Sequence, residues 1–267
     1  MPHIAEFIMT IKGSPPDYPA NPAYGHGVFR RRIRLEGSPG RVFGALEDTN
    51  HGFCVTVHHD NGIVTAIEPE ARRTPYDTCP EAGANLQSLI GSRIDHSARE
   101  LNLSAGPANN CTHLLDLTIL AIGHAHRGNG TRQWDITVTD ERDDADAIIR
   151  ARCNDAPINE WKARSFLITE PAELAGKPLY MGFGRWASQH FEHDMLEAAF
   201  IMQKGYFVAQ ARRFDIDAAA GEPALASAGS MGGVCYTYSP GAIERGVRLD
   251  HSTRDFSDDD TQLLKFS

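Results

Sequence analysis

The chain has 267 residues, 41% of them hydrophobic and 23% charged, ordinary proportions for a folded protein with a sizeable core. Its formal net charge of −9 and pI near 5.7 argue against a general nucleic-acid binder, whose phosphate contacts demand a basic surface. No apolar run approaches the roughly 20 residues that span a bilayer. An odd count of 5 cysteines, without Cys-x-x-Cys or a leader peptide, points to a cytoplasmic protein rather than a disulfide framework.

Residues 1–27 carry Pro15, Pro16, Pro19 and Pro22 and read as an extended tail, since proline removes the donors a helix needs. Alternating stretches from Val28 to Glu36 and from Arg41 to Asp48, split by Gly37-Ser38-Pro39-Gly40, predict a hairpin. In the first strand Phe29, Ile33 and Leu35 share one face, and Arg30, Arg32 and Arg34 share the other, which reads as solvated. A third strand runs from Gly52 to His58. The Asn61-Gly62 step that follows suits a type I′ turn, because both central residues need positive φ, and Ile63 to Glu68 returns as a fourth strand. Four such strands predict an antiparallel sheet.

Then the period changes. Pro80 to Ile90 places Ala82, Leu86, Leu89 and Ile90 on a helical stripe stopped by Gly91, with Pro80 in the first turn and Cys79 as the cap. A second helix is expected from about Asn110 to His126, with Cys111 and His113 in its first turn. Gln133 to Thr139, Ala147 to Cys153 and Asn159 to Ile168 read as strands, and Gly184 to Phe214 as one long helix in which Gly205 marks a kink or a close contact. Ala218 to Gly233 reads as loop and Val234 to Tyr238 as a short strand. The predicted fold is α+β: antiparallel meanders packed against helices in two similar lobes, about 28–126 and 127–257, followed by a C-terminal tail at 258–267.

The chemistry concentrates between Leu46 and Asp116. A turn at Thr49-Asn50 would let the Asp48 carboxylate accept from one nitrogen of His51, leaving the other as a general acid or base near neutral pH. Arg73, or its neighbour Arg72, offers a planar fork for a substrate carboxylate, Tyr76 offers a hydrogen bond to a phenol or oxyanion, and Phe53 an aromatic wall. Cys79 and Cys111 sit where helices begin, where unsatisfied N–H groups and the dipole favour thiolate. With His51 and His113 they form a soft nitrogen–sulfur set suited to zinc or iron, although the short spacing of a zinc motif is absent. On the expected long helix His190, His193, Asp194 and Glu197 share one face, most simply its polar side. No Gly-x-Gly-x-x-Gly, Walker loop or Gly-x-Ser-x-Gly occurs, so no nucleotide cofactor or hydrolase elbow is expected.

Leu46-Glu47-Asp48 with His51 and Phe53, Arg73-Thr74-Pro75-Tyr76 with Thr78-Cys79-Pro80, Cys111-Thr112-His113-Leu114, Cys235-Tyr236-Thr237-Tyr238 and Asp255-Phe256-Ser257 together resemble the bacterial domain-of-unknown-function family 2889. The resemblance spans roughly Val28 to Ser257 and implies no activity. A topology-level likeness to iron–sulfur scaffold proteins of the NifU type implies cysteines at helix starts, with His51 in place of a third cysteine.

Two functions follow as expectations. One is a lyase or decarboxylase, cofactor-independent or metal-assisted, acting on a carboxylated small molecule, with an aromatic one in aromatic-compound catabolism as the narrower expectation, and working as a homodimer. In it His51 is the acid/base, Asp48 its orienter, Arg73 the clamp and Tyr76 the guide, with Phe53, Cys79, Cys111 and His113 lining the substrate. The other is a zinc, iron or iron–sulfur module held by Cys79, Cys111 and His51.

Overall fold

Period-two alternation organises both halves of the chain, and in the computed structural model, which describes residues 18–106, 109–227 and 229–266, the halves meet in one sheet. Strands β1 (Val28–Ser38), β2 (Arg41–Asp48), β3 (Gly52–Asp60), β4 (Ile63–Arg73), β5 (Gly130–Thr139), β6 (Ala147–Cys153), β7 (Ala156–Arg164) and β8 (Leu167–Glu170) run in the order β4-β3-β2-β1-β5-β6-β7-β8. Every pairing is antiparallel, as the alternation predicts. The two meanders join through β1 and β5, from Val28↔Thr139 to Gly37↔Gly130. Asn61 and Gly62 have φ of 49° and 78°, the positive values that a type I′ turn needs.

Helices cover one face. Helix α1 is Ala98–Ala105, α2 Thr112–Arg127, α3 Phe183–His190 and α4 His193–Ala209. Helix α2 lies on β1, β2 and β3, and α4 on β5, β6 and β7. Their buried residues form a single core with Phe29, Leu35, Leu46, Phe53, Val55, Trp134 and Ile136. Burying Leu114, Leu117, Ile119 and Ile122 of α2 contributes about 2 kcal/mol per side chain. Gly205 is a contact point rather than a kink: a Cβ there would lie 2.8 Å from Ile136 Cγ2. Among the described residues no helix is long and apolar enough to cross a membrane.

Several expected elements take another form. Cys79–Leu89 is a 3₁₀ helix laid against β4, with Cys79, Ala82, Gly83, Leu86 and Leu89 buried. The long helix is two: α3 ends at His190, Phe191 turns inward against Trp161 and Trp186, and α4 restarts at His193 with φ of 48°. Val234 to Tyr238 is no strand; it holds a 3₁₀ turn, Tyr236–Tyr238, whose first N–H donates to Asn110 O at 3.0 Å. Helix α1 is an addition, and its signal was in the sequence: Ser97 and Glu100 form a reciprocal capping box.

The arginine face of β1 is covered rather than solvated over much of its length. Arg30 donates to Ser257 O at 3.1 Å, and Arg32 lies 3.6 Å from the Asp260 carboxylate. Further along, Leu264 N donates at 2.6 Å to Oε2 of Glu47, a residue only 1% exposed. Residues 255–266 thus strap the outer face. Of the N-terminal tail, positions 1–17 lie outside the described residues, while Asn21 N donates to Arg213 O at 3.0 Å.

Candidate functional site

The turn between β2 and β3, Asp48-Thr49-Asn50-His51, is closed by its own first side chain. Asp48 Oδ1 accepts from Asn50 N at 2.8 Å and from His51 N at 2.9 Å, while Asp48 N donates to His51 O at 2.9 Å. Aspartate suits this position because its short side chain reaches backbone donors two and three residues on. Its other oxygen, Oδ2, accepts from Arg31 Nε at 2.9 Å and Nη2 at 2.5 Å. Arg31 stands opposite Asp48 in the β1–β2 register, and the two are 2% and 0% exposed. Burial alone would raise the Asp48 carboxyl, but the Arg31 charge, with help from His51, holds it well below the usual carboxylate range.

Asp48 is therefore ionised and accepts only, so the 3.1 Å contact from His51 Nδ1 to Asp48 Oδ1 assigns the ring proton to Nδ1. Nε2 is left as the basic nitrogen. Burial lowers the His51 pKa against the opposing pull of Asp48, which keeps the ring neutral at physiological pH. His113, in the first turn of α2, lies against it: the ring centroids are 3.9 Å apart and the planes tilted by 44°. Burial, then the His51 charge, pushes His113 well below the ordinary histidine range, and its Nδ1 is buried without a hydrogen-bond partner. Phe53 stacks on His51 at 6.0 Å. The arrangement is an oriented, neutral imidazole in an apolar wall, competent to take up a proton.

The remaining expected residues form a second group. Tyr76 belongs to a smaller core cluster with Cys79, Ala224, Ile243 and Tyr238, separate from the one holding Phe53. Its phenol oxygen lies 3.0 Å from that of Tyr18, 3.1 Å from that of Tyr238 and 3.2 Å from Arg248 Nη2. The Arg248 guanidinium also packs over the Tyr76 ring at 4.5 Å. Cys79 Sγ lies 3.3 Å from Thr237 Oγ1, and the Tyr236 N–H to Asn110 O bond brings Cys235 beside Cys111. The thiolate expectation is reversed in both helix-start cysteines: burial pushes Cys79 up to about 11 and Cys111 further still, outweighing the backbone N–H groups nearby. His51 is not part of this group. Among the described residues, no three His, Cys, Asp or Glu side chains are placed to hold one metal ion.

Arg73 is occupied by the fold. Its Nη1 donates to Thr49 O and Ser252 O, each at 2.8 Å, and its Nη2 to Asp48 O at 2.5 Å, with Glu47 Oε1 and His51 O at 3.3 Å. It clips the Asp48–His51 turn to the C-terminal strap. Arg72 instead pairs with Glu70 at 2.9 Å near the surface. The His190, His193, Asp194 and Glu197 face is divided by the break between α3 and α4; its acids pair with Arg127 and Arg132, and Glu197 Oε1 also accepts from Trp134 Nε1 at 3.0 Å.

Two contributors escape the motif reading, Arg31 and Arg248. Arg31 had a signal: alternation puts it on the same face as Phe29 and Ile33, where a charge requires a buried partner. Arg248 had none, because its place depends on the bridge Tyr76↔Arg248 between distant segments.

Residues 45–126, from within β2 to the end of α2, match the family described as protein of unknown function (DUF2889). The matched segment contains Asp48, His51, Arg73, Tyr76, Cys79, Cys111 and His113. No curated protein matches the chain.

Proposed function

We propose that this chain, whose residues 45–126 carry the DUF2889 segment, is a small-molecule enzyme of the lyase class that moves a proton at His51. The observation that carries the reading is the Asp48–His51 contact of 3.1 Å, with Asp48 anchored by Arg31 from β1. A carboxylate so anchored fixes the imidazole tautomer and stabilises the imidazolium formed on proton uptake. The finer reading is decarboxylation of a carboxylated aromatic compound. Arg73, committed to the Thr49, Asp48 and Ser252 carbonyls, is not free to clamp the substrate carboxylate. We place the enzyme in the cytoplasm, in keeping with its five free cysteines.

The test is a panel of hydroxylated and methoxylated benzoic acids assayed for carbon dioxide release, with His51→Gln and Asp48→Asn beside the parent. For an acid that turns over, kcat is expected to fall about 100-fold or more in His51→Gln and at least tenfold in Asp48→Asn. Turnover that survives His51→Gln would overturn the assignment. A stoichiometric zinc or iron that is lost from a Cys79→Ser, Cys111→Ser pair would favour the metal-module reading instead.

A further inference from the structure

Behind the Asp48–His51 turn, on the side that His51 does not line, a cavity of about 150 Å³ is walled by the turn's other two residues, Thr49 and Asn50, together with Arg212, Asp215, Asp217 and Arg254. Asn50 is 6% exposed, and its side-chain amide makes no hydrogen bond to any described residue. Thr49 is 9% exposed, with a buried hydroxyl oxygen that has no partner. Asp217 Oδ2 accepts from Thr253 Oγ1, but its Oδ1 is buried and unmatched. Buried unmatched oxygens such as Thr49 Oγ1 and Asp217 Oδ1 are uncommon, because each forfeits hydration without recovering a bond. Here they come from β2–β3 and from the segment after α4, and they share one cavity.

The charges around the cavity define what fits. Arg212 is neutralised: its Nε and Nη2 donate to Asp140 at 2.9 and 3.3 Å, and its Nη1 to Asp255 at 3.3 Å. Arg254 donates from Nη1 to the carbonyls of His251 and Thr253, both at 2.9 Å. Asp215, Asp217 and Asp255 outnumber Arg212 and Arg254 in the wall, and Arg212 is already matched by Asp140, so the wall is acidic on balance and disfavours an anion. A bare metal ion lacks a ligand set, since no three acidic, histidine or cysteine side chains among the described residues converge on a point. A cavity of about 150 Å³ holds a molecule of roughly benzene's size.

We propose that this cavity is a binding site for a small organic ammonium compound, its cationic group on Asp217 Oδ1 and a hydroxyl on Thr49 Oγ1, beside the Asn50 amide. The site is distinct from the His51 centre and does not depend on the lyase reading. It touches that centre only through the shared turn, which makes it a place where an amine could alter His51 without contacting it.

Ethanolamine is the probe, titrated into the full-length isotope-labelled protein while the Asn50 side-chain amide signals are followed. Saturable shifts in the millimolar range are expected, with glycerol, of similar size and no charge, moving the same signals at least tenfold more weakly. Asp217→Asn is expected to weaken ethanolamine binding at least tenfold. Thr49→Val gives a second reading should Asp217→Asn disturb the fold: it removes an unpartnered hydroxyl, leaves the thermal midpoint unchanged or raised, and weakens the probe about threefold. Shifts that do not saturate, equal responses to glycerol and ethanolamine, or unchanged affinity in Thr49→Val and Asp217→Asn would each overturn the proposal. Loss of carbon dioxide release in His51→Gln leaves all of these readouts standing.

Discussion

His51 and His113 face each other with ring centroids 3.9 Å apart, one fixed by Asp48 and the other, in the first turn of α2, with its Nδ1 unpartnered. Two imidazoles at that separation cannot both carry charge in a buried setting, and burial keeps both neutral.

The pair makes stability depend on pH in a defined direction. Both histidines have folded pKa values lowered from 6.5, so the unfolded chain binds more protons as pH drops through that region. Stability is full above it and is lost as pH falls below it, by up to about 1.4 kcal/mol per pH unit for each ring. Asp48 acts in the same direction but in stronger acid, because its folded pKa is also depressed and its contribution is lost as pH falls through the ordinary carboxylate range and below. Urea midpoints measured between about pH 7.5 and 5.5 should fall, and the fall should be about half as steep in His113→Phe. Equal slopes in the two proteins would remove His113 from the explanation.

The Arg31–Asp48 pair should be costly to break from either side. Both charges are buried, so removing one strands the other without solvent. Arg31→Met is expected to destabilise by about 3–5 kcal/mol in chemical denaturation, far beyond a surface ion pair such as Arg150–Glu160. The Arg31→Met, Asp48→Asn double variant should recover part of that loss, because the stranded carboxylate is gone. A single-variant loss under about 1 kcal/mol would mean that water reaches the pair.

Arg73 separates a clip from a clamp. If its guanidinium holds the Thr49, Asp48 and Ser252 carbonyls, Arg73→Lys cannot reproduce the fork and should cost about 2–3 kcal/mol, with earlier proteolytic cutting in the strap after Ser252. A substrate clamp predicts something else, namely unchanged stability and a raised KM for a carboxylated substrate.

The class and most of the sheet were legible because alternation records which side of a strand is buried: Phe29, Ile33, Leu35 and Phe53 pointed inward as expected. The Asp48–His51 contact was legible because it spans three residues, a distance at which the chain itself dictates the meeting. What was not legible depended on distant segments. The 3₁₀ form of Cys79–Leu89 follows from packing on β4, where a Cβ on Gly83 would come within 2.9 Å of Pro69 Cγ, and the occupancy of Arg73 follows from where Ser252 arrives. Nothing within either stretch encodes those neighbours.

The cysteines give the sharpest case of a local rule overruled by burial. Cys79 and Cys111 stand at helix starts, where N–H groups and the dipole favour thiolate by at most about 2 kcal/mol, a margin that falls off within a turn. Both are 8% exposed, and desolvation of a thiolate there exceeds what the N–H groups return, so Cys79 rises to about 11 and Cys111 higher. Each is therefore expected to resist iodoacetamide at about pH 7.5 for hours in the native protein and to label at once in denaturant. Cys153, partly exposed on β6, should label ahead of both. Site-resolved mass spectrometry reads the order directly. Rapid native labelling of Cys111 before Cys153 would show that the α2 N-terminus is open to solvent, and would restore the thiolate expected at that helix start.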